Sequence, residues 1–182
     1  MTIRAAIVGR NLDDLRGYID GLPIEEVAED PEVIISYGGD GALLGAEREY
    51  PGVPKFPIRD SRSNPKCPRH GEAQVLRAFL DGGLAARHLS KIEGEAKDKT
   101  VVGLNDVVIS KDIISSCVRF QVLLNDDLYA QQIVADGLVA STPFGSTGYY
   151  RSITHSLFRR GLGLAFNNTT DPIDHLVVED EA

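Results

Sequence analysis

Residues 33–47, VIISYGGDGALLGAE, constrain the fold more than any other stretch. An apolar run with strand character passes through Gly38-Gly39-Asp40-Gly41 into a run with helical spacing. A strand that enters a helix through a glycine turn is the repeating unit of a layered α/β sheet. The flanking segments keep the same alternation. IRAAIVG reads as a first strand, and Asn11 as the cap of a helix carrying Leu12, Leu15 and Ile19. EVIISY is a second strand, ALLGAEREY a helix ended by Pro51, and VPKFPI a short third strand limited by its prolines. After a polar, proline-containing loop from Arg59 to His70, EAQVLRAFLDGG predicts a helix closed by Gly82-Gly83.

The pattern changes near Leu89. KTVVGLNDVVIS, CVRFQVLLN, LYAQQIVA, GLVAST, GLGLAF and HLVVE are all strand-like, and NDD between two of them suits a hairpin turn. Only STGYYRSITHSLFRR reads as helical in this half. The expected organisation is an N-terminal α/β domain over residues 1–88, holding the GGDG turn, followed by a β-rich domain over residues 89–182. There is no internal repeat.

A chain of 182 residues, 42% hydrophobic and 25% charged, has the composition of a globular protein able to bury a core. Its net charge of −8 argues against binding a nucleic-acid backbone, which needs a basic face. No apolar run approaches the ~20 residues of a membrane-spanning helix, and MTIRAAIVGRNLDD turns polar too early for a signal peptide. Two distant cysteines, Cys67 and Cys117, suit a reducing compartment, so the expected location is the cytoplasm. Arg59, Arg62, Lys66 and Arg69 cluster in this acidic chain, either as a solvated loop or as a patch for a small anion.

Three segments could carry chemistry. Glycines at a strand-to-helix turn expose backbone N–H groups suited to phosphate. Asp40 among them would repel phosphate, so its presence needs a reason. It could accept a proton from an attacking hydroxyl, hold a metal, or simply make a turn. In GLNDVVIS, Asn105 and Asp106 interrupt an apolar run; they could read a base edge and a ribose, or face solvent on a strand edge. ADGLVASTPFGSTGYY places hydroxyls and glycines between a strand and a helix, which suits phosphate and ribose contacts, with Tyr149 offering a stacking face. No metal site is expected. Cys67-x-x-His70 lacks a second pair, and His88, His155 and His175 are scattered.

GGDG, then LNDVV, then DGLVASTPFGSTGYYRS, in that order, resemble the NAD kinase family over roughly Val33 to Ser152. The resemblance implies an N-terminal α/β nucleotide-binding domain and a β-rich C-terminal domain, with the active site between them. It also implies ATP-dependent phosphorylation of the adenosine ribose 2′-hydroxyl of NAD, with Mg²⁺ or another divalent cation. By resemblance Asp40 is the general base, and Gly38, Gly39 and Gly41 admit the donor phosphates. Asn105 and Asp106 match the Asn-Glu pair that holds the dinucleotide, and Asp136 matches an acid that contacts NAD. Thr147, Gly148, Tyr149 and Ser152 match residues that line the adenosine pocket. The implied partners are small-molecule nucleotides and further copies of the chain, with no nucleic acid and no membrane.

Several positions depart from the family pattern. Asp106 stands where Glu is usual, Gly148 where Ala is usual, and Ala42 where Thr is usual. PIRDSRSNPKCPRH replaces the familiar GIN-G-LGFL segment, as in a divergent, archaeal-type branch. The chain also stops at HLVVEDEA where relatives continue, so it reads as truncated. These departures leave two alternatives beside the kinase: a nucleotide-binding regulator of the same fold without turnover, and a related lipid or sugar kinase. Asn105-Asp106 and the turn from Gly145 to Tyr149 argue against the latter.

Overall fold

The computed structural model describes residues 2–62 and 71–179. The chain divides into two compact units, Met1–Arg87 and His88–Ala182.

The first unit runs β1 (Ile3–Gly9), α1 (Leu12–Ile19), β2 (Ile24–Glu26), β3 (Val33–Tyr37), α2 (Asp40–Glu49), β4 (Lys55–Ile58) and α3 (Glu72–Leu80). Its strands form a parallel sheet in the order β2-β1-β3-β4. All five residues of β3 are buried, because the strand period of two sends them alternately to two covered faces. Val33, Ile35 and Tyr37 join Leu15 of α1 and Leu76 of α3 in one cluster. Ile34 packs with Ala46 of α2 in another. Phe56 and Phe79 stack at 4.3 Å, fixing α3 against β4. The α/β expectation holds. The sequence reading missed β2, whose IEE is too short and exposed to carry a period. Asn11 is the N-cap residue of α1 as expected, its carbonyl accepting from the Asp14 N–H at 3.1 Å, but not through its side chain. Asn11 takes a left-handed conformation (φ 55°) and makes no side-chain cap; its Nδ2 donates to Asp60 Oδ2 at 3.0 Å instead.

The second unit contains β5 (Ile92–Ala96), β6 (Lys99–Gly103), β7 (Asp106–Ser110), β8 (Val118–Leu124), β9 (Asp127–Ala135), β10 (Gly137–Ser141), α4 (Tyr149–Thr154), β11 (Leu162–Asn167) and β12 (Leu176–Val178). An antiparallel sheet runs β12-β11-β10-β7, and β8–β9 and β5–β6 form two-stranded ribbons. The β8–β9 ribbon packs Val122, Ile133 and Ala135 against Leu164 and Phe166. On the opposite face Tyr150 of α4 meets Val139 and Ala165. Asn125 and Asp126, both at positive φ, close the β8–β9 hairpin as NDD suggested.

Two expectations need correction. KTVVGLNDVVIS is two strands, β6 and β7, not one. The strands part at Leu104-Asn105, where the Asn105 carbonyl extends the β7–β10 pairing by accepting the N–H of Thr142 at 2.8 Å. The helix expected through Arg160 ends at Thr154, where His155 turns left-handed (φ 56°). The Thr154 hydroxyl takes over the turn, donating to the Tyr150 carbonyl and accepting from the Ser156 N–H.

Candidate functional site

In the first unit the strand order reverses between β1 and β3, and open α/β sheets bind ligands beyond the carboxyl ends of strands at such a point. A cavity of about 770 Å³ lies there, lined among others by Gly9, Asn11, Gly38, Gly39, Gly41 and Asp60. The glycines differ in what they need. Gly38 sits at φ +139°, which side chains rarely adopt, whereas a Cβ on Gly41 would meet no protein atom. Gly41 therefore leaves space that the fold itself does not use. Gly39 is the N-cap of α2 and has no side chain to cap it; the Ala42 N–H donates to the Gly39 carbonyl at 3.0 Å, and a ligand oxygen can meet the earlier N–H groups of the turn. Asp40 is the first helical residue, its side chain 74% exposed, with one oxygen 3.5 Å from the Arg59 guanidinium.

The chain after β4 is pinned beside this cavity. Asp60 is buried and accepts from Asn11 Nδ2 and from the Arg62 N–H, each at 3.0 Å. Glu72 Oε1 accepts from the Ser61 N–H at 3.0 Å, the Ser61 hydroxyl at 2.8 Å and the Tyr37 hydroxyl at 3.2 Å. Burial pushes the Glu72 carboxyl up, but these donors outweigh it and hold the group below its ordinary range. Burial, with Asp60 and Glu72 nearby, pushes the Tyr37 hydroxyl upward. Arg62 pairs with Asp14. Lys66 and Arg69 of the basic cluster, and Cys67 and His70, lie outside the described residues.

In the second unit two turns interlock. The Asn105 carbonyl accepts from the Thr142 N–H at 2.8 Å and the Ser141 hydroxyl at 3.3 Å; Thr142 Oγ1 donates to the Leu104 carbonyl at 2.7 Å and accepts from the Gly145 N–H at 3.0 Å. A Cβ on Gly145 would lie 2.0 Å from the Asn105 carbonyl oxygen, so this approach requires glycine. Asn105 Oδ1 is buried without a hydrogen-bond partner among the described residues, a costly state that a ligand donor would relieve. Burial raises the Asp106 carboxyl above its ordinary value. Thr147 ends the short turn Gly145–Thr147, and Gly148 is the N-cap of α4. Tyr149 is 41% exposed and its hydroxyl accepts from Asn167 Nδ2 at 3.1 Å. Ser152 donates its hydroxyl to the Tyr149 carbonyl at 2.7 Å.

Asp136 is not brought to this group. Asp106 pairs with Ser141 and Ser110 with Gly137, so Asp106 and Asp136 stand at opposite ends of the β7–β10 pairing, roughly 16 Å apart at the rise of a strand. Its carboxylate is already engaged: Lys111 Nζ donates at 2.6 Å to one oxygen and Asn168 Nδ2 at 3.0 Å to the other. Those donors, Lys111 first, hold the Asp136 carboxyl below its ordinary range against a small opposing effect of burial. Sequence reasoning missed Lys111 and Asn168 because neither lies near Asp136 in the chain. A group held low is stabilising above its unfolded value and loses that contribution as pH falls through its folded value. Lys111→Met is therefore expected to move the Asp136 titration upward towards that of an ordinary aspartate, read by carboxyl-carbon NMR; an unmoved titration would rule out the pair.

Among the described residues, no group of three or more His, Cys, Asp and Glu side chains is gathered for a metal, and no helix is long and apolar enough to cross a membrane.

Residues 104–156 match the model of the ATP-NAD kinase C-terminal domain. An NAD kinase of Bordetella avium is 30% identical over 148 residues, covering 76% of this chain and 49% of that protein. An NAD kinase of Ralstonia nicotianae is 32% identical over 137 residues, covering 70% and 45%. The chain thus spans about half the length of the curated relatives it matches. Among solved structures, an NAD kinase from Archaeoglobus fulgidus in complex with ATP has a TM-score of 0.70 at 17% identity, covering 97% of this chain and 77% of its own. Yeast NADH kinase complexed with NADH has a TM-score of 0.71 at 13% identity, covering 98% and 70%. At these identities the likeness to solved structures is one of fold.

Proposed function

We propose that this chain, which belongs to the NAD kinase family, transfers the terminal phosphoryl group of ATP to the 2′-hydroxyl of the adenosine ribose of NAD, giving NADP and ADP. The observation that carries this reading is Asp40, an exposed carboxylate on the first turn of α2 between Gly39 and Gly41, which line a cavity. Its side chain belongs to neither apolar cluster of the unit, and an acid set among backbone N–H groups suited to phosphate is placed to take the proton of an attacking hydroxyl.

The donor phosphates lie against the N–H groups of the glycine turn. Asp40 takes the proton of the 2′-hydroxyl as that oxygen bonds to phosphorus and the bridging oxygen departs with ADP. When bound, Mg²⁺ offsets charge on the triphosphate. A metal carried chiefly by the phosphates would find a carboxylate in Asp40 at the start of α2. Asn105 Oδ1, buried and without a partner among the described residues, accepts from an amino group of the ligand. Asp106, raised by burial, accepts from a ribose hydroxyl, and Thr147, Gly148, Tyr149 and Ser152 contribute to holding the dinucleotide. Asp136 acts by holding Lys111, a cation suited to the far end of a long ligand such as a dinucleotide.

A homo-oligomer in the cytoplasm fits this reading. Edge strand β7 exposes Val108 and Ile109, with Ile113 and Ile114 following, an apolar border suited to a second copy. Cys117 is an exposed free thiol, as in a reducing compartment.

The test is NADP formation from NAD, ATP and Mg²⁺, run beside melting curves with NAD. Product with an NAD-dependent rise in melting temperature is expected. A rise without product would leave a binding protein, and neither would leave no case for NAD as the ligand.

A further inference from the structure

Arg59 belongs to the segment that departs most from the family pattern, and its place follows from the fold. The pairing of β4 with β3 sets Ile58 opposite Tyr37, and the Ile58 carbonyl accepts from the Gly38 N–H at 2.9 Å. The next residue therefore emerges beside the glycine turn. Beyond it Asp60, Ser61 and Arg62 are tied to Asn11, Glu72 and Asp14. Arg59 is left with its guanidinium 3.5 Å from Asp40 and its side chain 41% exposed. Two other cations of this unit are paired elsewhere, Arg16 with Glu26 and Asp13 and Lys55 with Glu47. Arg10, at the end of β1, lines the glycine-turn cavity, whereas Arg59 lines the neighbouring cavity along β4 and α3 and reaches the glycine turn through Asp40.

We propose that Arg59 is a catalytic residue that binds the transferring phosphoryl group, exchanging its contact with Asp40 for the phosphate oxygens of a triphosphate. A planar guanidinium matches two phosphate oxygens at once, and a pair this long and exposed is easily exchanged for them. The exchange also frees Asp40 to accept the hydroxyl proton. A cation placed where charge spreads over the phosphoryl oxygens lowers the barrier as well as binding the donor. The inference deepens the proposed kinase reading and rests on it for the chemical step, while phosphate binding can be measured without that step.

Inorganic tripolyphosphate is titrated calorimetrically into the intact chain, into Arg59→Ala and Arg59→Lys, and into Arg16→Ala as a control. Arg59→Ala is expected to weaken binding at least about tenfold, the loss of a charge-assisted contact, with Arg59→Lys between and Arg16→Ala unchanged. With NAD and ATP, Arg59→Ala is expected to lower kcat by about 10²-fold and to raise the KM for ATP while leaving that for NAD in place. Tripolyphosphate binding that is absent from the parent chain, or unchanged in Arg59→Ala, overturns the inference. If the parent makes NADP and Arg59→Ala turns over normally, the inference fails alone. If the parent makes no NADP but Arg59→Ala loses tripolyphosphate, the anion site stands and the kinase reading falls.

Discussion

Asp40→Asn is expected to fold like the parent chain, keep its NAD-dependent rise in melting temperature, and lose about 10²–10⁴-fold in kcat, the usual worth of a general base. The substitution keeps the side chain's shape and removes only its charge and its capacity to take a proton. Asp40 belongs to neither apolar cluster of its unit, and its side chain is mostly exposed. Its structural share is the interaction of a first-turn acid with the helix N-terminus, about 1 kcal/mol at most. Stability and turnover should therefore separate. A carboxylate that merely shaped the turn would give the reverse, a lower melting temperature and an unchanged rate. Near-parental kcat in Asp40→Asn would remove Asp40 from the chemistry, and melting curves beside steady-state rates decide between the two.

The sequence exposed the parts of this fold in which local pattern and tertiary environment agree. The strand VIISY, buried on both faces, and the apolar spacing of α1 and α3 carry their periods openly. The short parallel strand β2 carries none; it exists because Ile24 pairs with Ile3 of β1, a relation between separate segments. The same limit governed the site. GGDG and the 142–149 turn are contiguous and could be read directly, but the bond of Lys111 to Asp136 joins residues on either side of the β8–β9 ribbon. The basic character of the 59–70 loop was legible, but the choice of Arg59 within it depends on where β4 ends. Asn11 shows a local rule losing to a distant partner, since its amide serves buried Asp60 instead of its own helix.

Two glycines three residues apart in the second unit should respond oppositely to a methyl group. In Gly145→Ala the new Cβ would stand 2.0 Å from the Asn105 carbonyl oxygen, 2.4 Å from its carbon and 2.6 Å from its Cα. These are backbone atoms and cannot rotate away, so the turns must part. Parting them strains the Thr142 N–H bond to Asn105 and displaces Asn105 Oδ1, which has no hydrogen-bond partner among the described residues. The expected cost is about 2–4 kcal/mol, at or above the upper end for overpacking. For a unit of this size that lowers the melting temperature by about 10 °C or more, and NAD should no longer raise it. Gly148→Ala meets only the Gly145 carbonyl oxygen at 3.2 Å and Asn105 Nδ2 at 3.7 Å, at an ordinary φ of −93°. A shift of a few tenths of an ångström accommodates it, so its stability should stay within about 1 kcal/mol of the parent and the NAD response should survive. Melting curves of both variants with and without NAD give the comparison. If Gly145→Ala melts with the parent and still responds to NAD, the two turns do not form the dinucleotide pocket; if Gly148→Ala fails as Gly145→Ala is expected to, the pocket is narrower at α4 than its spacing allows.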